Sequence, residues 1–96
     1  MEYEPLRKGI SVKHLASDSE RKIQMDIMKI EAGFDDTVHY HDDWEWVYIL
    51  DGSLEDSKGV HKKGDFLIND TTTPHKPKSK EGCTLLIVWC GSVTKE

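Results

Sequence analysis

Long hydrophobic runs are missing from this sequence of 96 residues. No segment approaches the roughly 20 apolar residues that span a bilayer, and the N-terminus lacks the apolar stretch of a signal peptide. The net charge of −5 is spread with mixed sign, whereas nucleic acid is bound by a concentrated basic face. The basic cluster of Lys76, Lys78 and Lys80 is short and is interpreted as a solvated strand edge or loop. We therefore expect a cytoplasmic protein that binds neither nucleic acid nor membrane.

Cysteine is also scarce, and the sequence contains two, Cys83 and Cys90. If both lie on one strand, at about 3.3 Å per residue, they are roughly 23 Å apart. They also differ in parity, so their side chains point to opposite faces. A disulfide needs Cα atoms within about 7 Å. We therefore expect two reduced thiols, in agreement with a reducing compartment.

No segment has a convincing helical periodicity, and the patterns present are those of strands. In residues 22–30, Ile23, Met25 and Ile27 share one parity and Gln24 and Asp26 the other, which predicts a half-buried strand with the isoleucines and methionine inside. Residues 46–50 form an apolar run closed by Asp51-Gly52, a hairpin signal. Further strands are predicted at residues 10–15 (an edge), 53–55, 60–62, 65–68 and 83–90. Short strands separated by turns predict one antiparallel β-sandwich or barrel.

Histidines and a carboxylate precede the apolar run in a pattern that favours metal binding. His39, His41 and Glu45 share one parity, so a strand would place all three on one face. Val47 and Ile49 continue that face as apolar residues. The pattern predicts ligands at the mouth of a barrel with packing residues beneath them.

These residues resemble the motifs of the cupin superfamily. Gly33, His39, His41, Glu45 and Gly52 have the spacing of the first motif, over residues 33–52. Residues 64–79 resemble the second motif, in which Gly64 and His75 have the family spacing, while Asp70, Thr72 and Ser79 replace its usual proline, glycine and asparagine. The resemblance implies a single all-β domain over residues 1–96, a small antiparallel jelly roll or double-stranded β-helix. It also implies that His75 is the fourth metal ligand.

Residues 65–85, together with the short spacer at 53–63, resemble the ChrR-like branch of small cupins. In that branch the barrel is the C-terminal part of a zinc-dependent anti-sigma factor or a small stand-alone metalloprotein. This sequence has no room for the sigma-binding N-terminal domain, so we do not expect anti-sigma activity.

Three imidazoles and one carboxylate suit a divalent transition metal ion, with zinc, iron, manganese and nickel as candidates. Structural zinc sites are usually closed and rich in thiolates. The set of His39, His41, Glu45 and His75 instead favours a site with exchangeable positions for water or a small-molecule ligand. Because the histidines must be neutral to bind, we expect metal affinity to fall in acid.

Several residues near these motifs have simpler explanations. Val47, Ile49 and Cys83 are candidate neighbours of the pocket, although a buried thiol most often serves as a small apolar side chain. His14 and His61 are interpreted as surface residues. A site that binds metal but performs no chemistry is also compatible with the pattern.

Large aromatic side chains occupy the other face of the ligand-bearing strand. Trp44, Trp46 and Tyr48 share the even parity, so this strand needs cover on both sides. Either the second sheet packs there or a second copy of the chain does. Small cupins are commonly dimers, so the resemblance favours a homodimer.

Two functions follow as hypotheses. The first is a metal-dependent enzyme, a dioxygenase or isomerase acting on a small oxygenated, diketone-like compound. The second is a non-catalytic, ChrR-like sensor or ligand-binding module, which a reactive Cys83 near the metal would support.

Overall fold

The computed structural model describes residues 2–35, 44–56, 58–69 and 77–90. These residues contain strands and turns and no helix, as the sequence predicts. The strands are β1 (Glu4–Arg7), β2 (Ile10–Asp18), β3 (Ile23–Ile30), β4 (Phe34–Asp35), β5 (Glu45–Asp56), β6 (Gly59–Lys62), β7 (Phe66–Asn69), β8 (Lys78–Ser79) and β9 (Cys83–Cys90). No helix in this part of the chain is long and apolar enough to cross a membrane.

All described strand pairs are antiparallel. The first sheet has the order β1-β2-β3-β9-β5-β7. The second contains β4, β8, β6 and the C-terminal half of β5. Strand β5 therefore belongs to both sheets and curls one into the other, the all-β architecture expected of a jelly roll.

The prediction of a hairpin at Asp51-Gly52 is wrong, because β5 runs through this dipeptide without reversing. The pairing of β5 with β9 shifts register between Ile49 and Asp51, and Gly52 has a φ of 77°. A β-bulge with a positive-φ glycine bends a strand and increases its twist. The chain reverses instead after Asp56, which pairs with Gly59.

The core lies on the inner face of the first sheet, where side chains from neighbouring strands form rows. One row joins Met28, Leu85 and Ile49, and the next joins Ile30 to Cys83. All five side chains are at most 7% exposed. The complete core cluster comprises Ile10, Met28, Ile30, Val47, Ile49, Leu54, Leu67, Cys83, Leu85, Ile87 and Trp89.

The strand predicted at residues 22–30 is present, but its faces are the reverse of those predicted. Asp26, Met28 and Ile30 are buried, whereas Ile23 is 36% exposed. Apolar side chains lie on both faces of the strand, Met25 and Ile27 on one and Met28 and Ile30 on the other, so alternation alone could not distinguish the faces. The free-energy cost of burying Asp26 is reduced because neighbouring side chains provide its hydrogen bonds.

The remaining strand predictions are confirmed with small changes of boundary. The strand predicted at residues 10–15 extends to Asp18, but the prediction that it is an edge strand is wrong, because β1 pairs with it on the side away from β3. The strands predicted at 60–62 and 65–68 correspond to β6 and β7, and β9 has the predicted bounds.

Substitution of Gly52 tests the bend in β5. A Cβ there would overlap the carbonyl oxygen of Gly82 and lie 2.8 Å from the Cα atom of Cys83. Gly64 is the matched control, since its φ is 93° but no atom lies within 4 Å of the position that a methyl group would take. We expect Gly64→Ala to lower the free energy of unfolding by about 1–2 kcal/mol and Gly52→Ala by at least about 3 kcal/mol. Equal losses in urea titrations would contradict the close packing of β5 against residue 82.

Candidate metal site

Glu45 is the one predicted ligand that lies within the described residues. His39, His41 and His75 fall outside them, so their positions stay predictions. Among residues 2–35, 44–56, 58–69 and 77–90, no group of three or more His, Cys, Asp or Glu side chains is arranged to hold a metal ion.

Glu45 is the first residue of β5 and is 5% exposed. Its Oε1 atom accepts a hydrogen bond of 3.0 Å from Asn69 Nδ2, and its Oε2 atom accepts one of 2.8 Å from Trp89 Nε1. The sheet register explains these contacts, because Glu45 pairs with Asn69 on one side and with Trp89 on the other. Metal-binding carboxylates are typically held by such outer hydrogen bonds, which fix their orientation.

The apolar residues predicted beneath Glu45 are in place. Val47 is 2% exposed and Ile49 is fully buried at 0%, on the same inner face as Glu45. A dry floor of this kind lowers the local dielectric constant and strengthens electrostatic interactions above it. The buried carboxylate, its two donors and this floor fit the carboxylate position of a three-histidine, one-carboxylate metal site.

A second polar group on the inner face was not predicted. Asp26 is 1% exposed. Its Oδ1 atom accepts a hydrogen bond of 2.9 Å from His14 Nδ1, and its Oδ2 atom accepts one of 2.8 Å from Gln24 Nε2. His14 and Asp26 pair directly across β2 and β3. A histidine and an aspartate on neighbouring predicted strands were visible in the sequence. The predicted orientation of β3, however, placed Asp26 in solvent, so the contact was missed.

His61 also contacts a carboxylate, in the hairpin that joins β5 and β6. Its Nε2 atom lies 2.9 Å from Asp56 Oδ1, and the two side chains are 16% and 3% exposed. The same carboxylate oxygen accepts a hydrogen bond of 2.8 Å from the backbone N–H of Lys58. His61 is thus more enclosed than a surface residue, and its contact closes a hairpin turn.

Cys83 begins β9, the strand on which Trp89 lies six positions further along. That separation is about 20 Å along an extended strand.

Burial raises the pKa of the Cys83 thiol from an ordinary 9.0 to about 11, opposed in part by a hydrogen bond with Ser79. A thiol with such a pKa is protonated near neutral pH and reacts slowly with oxidants. Cys83 and Cys90 are both reduced thiols, as expected.

The raised pKa of Cys83 makes folding stability depend on alkaline pH. The unfolded thiol ionises near 9.0 and the folded one near 11, so between these values the unfolded state binds fewer protons and stability falls as pH rises. Between pH 9 and 11 we expect the free energy of unfolding of the wild type to fall by about 2 kcal/mol through this thiol. The Cys83→Ser variant should not show this fall. Cys90→Ser is the control and should retain it. Superimposable pH profiles of urea stability for the two variants would contradict the assignment.

Solved structures with the same fold include proteins of several kinds. The structure of Rhodobacter sphaeroides SigE in complex with the anti-sigma ChrR matches with 21% identity and a TM-score of 0.80, over 92% of this chain and 48% of that one. An RmlC-like cupin from Ralstonia eutropha JMP134 matches with 24% identity and a TM-score of 0.81, over 91% and 59%. An acetylacetone dioxygenase from Acinetobacter johnsonii matches with 18% identity and a TM-score of 0.83, over 93% and 68%.

At these identities the structural likeness shows the fold alone, and the chain spans about half to three fifths of the first two matched chains. No curated protein matches the sequence. The family model of the ChrR cupin-like domain matches residues 1–93, nearly the full length. The chain therefore belongs to the ChrR cupin-like family of the cupins.

Proposed function

We propose that this protein binds one divalent transition metal ion through His39, His41, Glu45 and His75. The observation that carries the proposal is the environment of Glu45. Its carboxylate is buried on the inner face, and each oxygen is oriented by a neutral donor, Asn69 or Trp89. Such a carboxylate is prepared to bind a cation at low reorganisation cost.

The metal would support a reaction on a small oxygenated compound of the diketone class, as a dioxygenase or an isomerase. A bound ion supplies Lewis-acid polarisation of carbonyl oxygens and, in the case of iron, the capacity to activate dioxygen. The fold shared with an acetylacetone dioxygenase supports this choice of substrate class. The chain's own contribution is a rigid carboxylate above a water-excluding floor of Val47 and Ile49.

Metal content tests the ligand set. We expect the protein purified without chelator to hold about one metal ion per chain and His41→Ala to lose most of it. Trp89→Phe keeps a ring in the core and removes the donor to Glu45, so metal affinity should fall roughly 10- to 100-fold. Trp46→Phe is the matched control on the outer face of the same sheet and should leave affinity unchanged. Elemental analysis and competition with a chelator give these values, and an unchanged stoichiometry in His41→Ala would contradict the ligand assignment.

Oxygen uptake tests the reaction. The iron-loaded protein should consume oxygen with one or more compounds from a panel of β-dicarbonyls, and the His41→Ala variant should not. Zinc as the native metal, with no uptake by the iron form, would reject the dioxygenase and favour the second candidate.

The second candidate is a metal-dependent sensor or ligand-binding module. It is favoured by membership of the ChrR cupin-like family and by the fold shared with a structure that contains an anti-sigma factor. Oxidation of Cys83 is a poor basis for such sensing, because burial raises the pKa of this thiol to about 11. A sensor built on this chain would therefore respond through ligands at the metal rather than through Cys83.

We also propose that the protein is a homodimer formed through the outer face of the first sheet. Register places Ile68, Trp46, Val88 and Met25 in one row across four strands. The next row contains Phe66, Tyr48, Leu86 and Ile27. Both rows are uncharged, so two copies of an acidic chain can meet there without bringing like charges together.

The exposed area of these rows, together with that of Trp44, fits a dimer. Trp44, Tyr48, Phe66 and Ile68 are 46%, 40%, 58% and 46% exposed. Together these four side chains leave on the order of 400 Å² accessible, already as large as the biggest apolar patch of a typical monomer. A stable dimer buries about 800 Å² on each partner, which these residues, the half-buried members of the rows and a polar rim would supply.

A charge placed in the outer face tests the dimer. Ile68→Lys puts an ammonium group in the middle of the apolar rows, so we expect the wild-type dimer to become a monomer. Val60→Lys is the matched control, since Val60 is 53% exposed but belongs to the second sheet. Sedimentation equilibrium measures the masses. A monomeric wild type, or a dimer that survives Ile68→Lys, would contradict the proposed interface.

A further inference from the structure

We propose that His14, held by Asp26, is a proton-transferring group that faces the small-molecule ligand of the barrel. This inference rests on the proposed function for the existence of a ligand at the Glu45 end. The reaction class is proton abstraction from a carbon next to a carbonyl group, with His14 as the catalytic base and Asp26 and Gln24 as positioning residues.

The arrangement of the three side chains is that of an oriented imidazole. Asp26 is 1% exposed, whereas the His14 side chain is 54% exposed. The buried carboxylate accepts hydrogen bonds from His14 Nδ1 at 2.9 Å and from Gln24 Nε2 at 2.8 Å. Because a carboxylate can only accept, the proton of a neutral His14 resides on Nδ1 and the lone pair on Nε2. An acid group that fixes the tautomer of a histidine in this way leaves the other ring nitrogen ready to take a proton.

Burial of Asp26 is difficult to explain by stability alone. The carboxylate lies in the same row of the inner face as Ile87 and Val47, both at most 4% exposed. A buried carboxylate in such surroundings costs several kcal/mol unless it is fully hydrogen-bonded, and an apolar side chain of similar size there would avoid the cost. In this position the main effect of Asp26 is to orient His14.

The second histidine–aspartate pair shows what a structural contact looks like in this fold. Asp56 caps the backbone N–H of Lys58, and the His61 side chain is 16% exposed. Within the described part of the chain Asp26 caps no turn, and its histidine is more than three times as exposed. His61 therefore braces a hairpin, whereas His14 presents an imidazole to its surroundings.

His14 lies on the same face as the candidate metal ligand. Its strand places Ile10 in the core and packs Val12 against it, so the even-numbered residues up to His14 face inward. Gln24, the other donor to Asp26, pairs across the sheet with Trp89, the donor to Glu45. From the strand of His14 to that of Glu45 there are three strand spacings, about 14 Å along the sheet. Both side chains lie on the inner face of this sheet, and the ligand would occupy the interior between them.

The proposed step is balanced without a redox partner. The C–H bond next to the carbonyl breaks, its proton passes to Nε2 of His14, and its electron pair moves to the carbonyl oxygen to give an enolate. Return of a solvent-derived proton from Nε2 to carbon completes an exchange or, at the neighbouring carbon, an isomerisation. General bases positioned in this way contribute typically 10²- to 10⁴-fold in rate.

The first test reads the imidazole itself and needs neither metal nor ligand. In ¹⁵N NMR spectra of the metal-free protein at pH 8, His14 should show a protonated Nδ1 and an unprotonated Nε2. Asp26→Asn should abolish this single tautomer, while the His61 signals stay unchanged. A mixed tautomer of His14 in the wild type would overturn the proposal.

The second test measures deuterium incorporation into hydroxyacetone, used as the probe, by zinc-loaded protein in deuterium oxide. We expect His14→Gln to lower the exchange rate at least 100-fold and Asp26→Asn at least 10-fold, both with wild-type zinc content and folded circular dichroism spectra. His61→Gln is the matched control and should keep the wild-type rate. Equal rates for wild type and His14→Gln, or no exchange by the zinc-loaded wild type, would overturn the role of His14. Failure of the wild type to bind zinc, manganese, iron or nickel would instead reject the metal site, so the two proposals fail in different measurements.

Discussion

The fold depends on strand β5 serving both sheets. Its N-terminal half pairs with β9 and β7 and its C-terminal half with β6 and β8. The bend between the halves requires the positive φ of Gly52, where the chain passes against the backbone of residues 82 and 83. This bend closes the apolar interior below Ile49, and the strand's first residue, Glu45, is left at the opposite end. A single strand thus sets both the floor and the rim of the candidate site.

Sequence periodicity predicted the positions of most strands but not the orientation of β3 or the continuity of β5. The error in β3 arises because the first sheet is apolar on both faces. When Met28 and Ile30 on one face are matched by Met25 and Ile27 on the other, alternation contains little information about which face is buried. The bulge in β5 is equally hidden, because Asp51-Gly52 is as suitable for a bend within a strand as for a two-residue turn.

Part of the candidate site could be predicted from the sequence, because motif spacing and strand parity are local properties. The motif spacing predicts His39, His41, Glu45 and His75 as ligands, of which Glu45 lies in the described part of the chain. The face shared by Glu45, Val47 and Ile49 followed from parity alone. The partners of Glu45 could not be found in this way, because Asn69 and Trp89 are 24 and 44 positions away in sequence. Cross-strand register determines them, and register depends on the bulges and bends that the sequence leaves ambiguous.

Polar side chains on the inner face of the first sheet are concentrated at one end. Asn69, Glu45, Trp89 and Gln24 follow one another across four neighbouring strands. Towards the other end the inner side chains are apolar, through Ile49 and Leu85 to Ile30. A core optimised for stability alone would gain by replacing these polar groups with apolar ones, since their hydrogen bonds at best offset the loss of hydration. Their hydrogen bonds instead leave two groups in defined orientations, the carboxylate of Glu45 and the imidazole of His14. A ligand between them would meet the proposed cation site on one side and the proposed proton acceptor on the other, a combination that suits enolate chemistry.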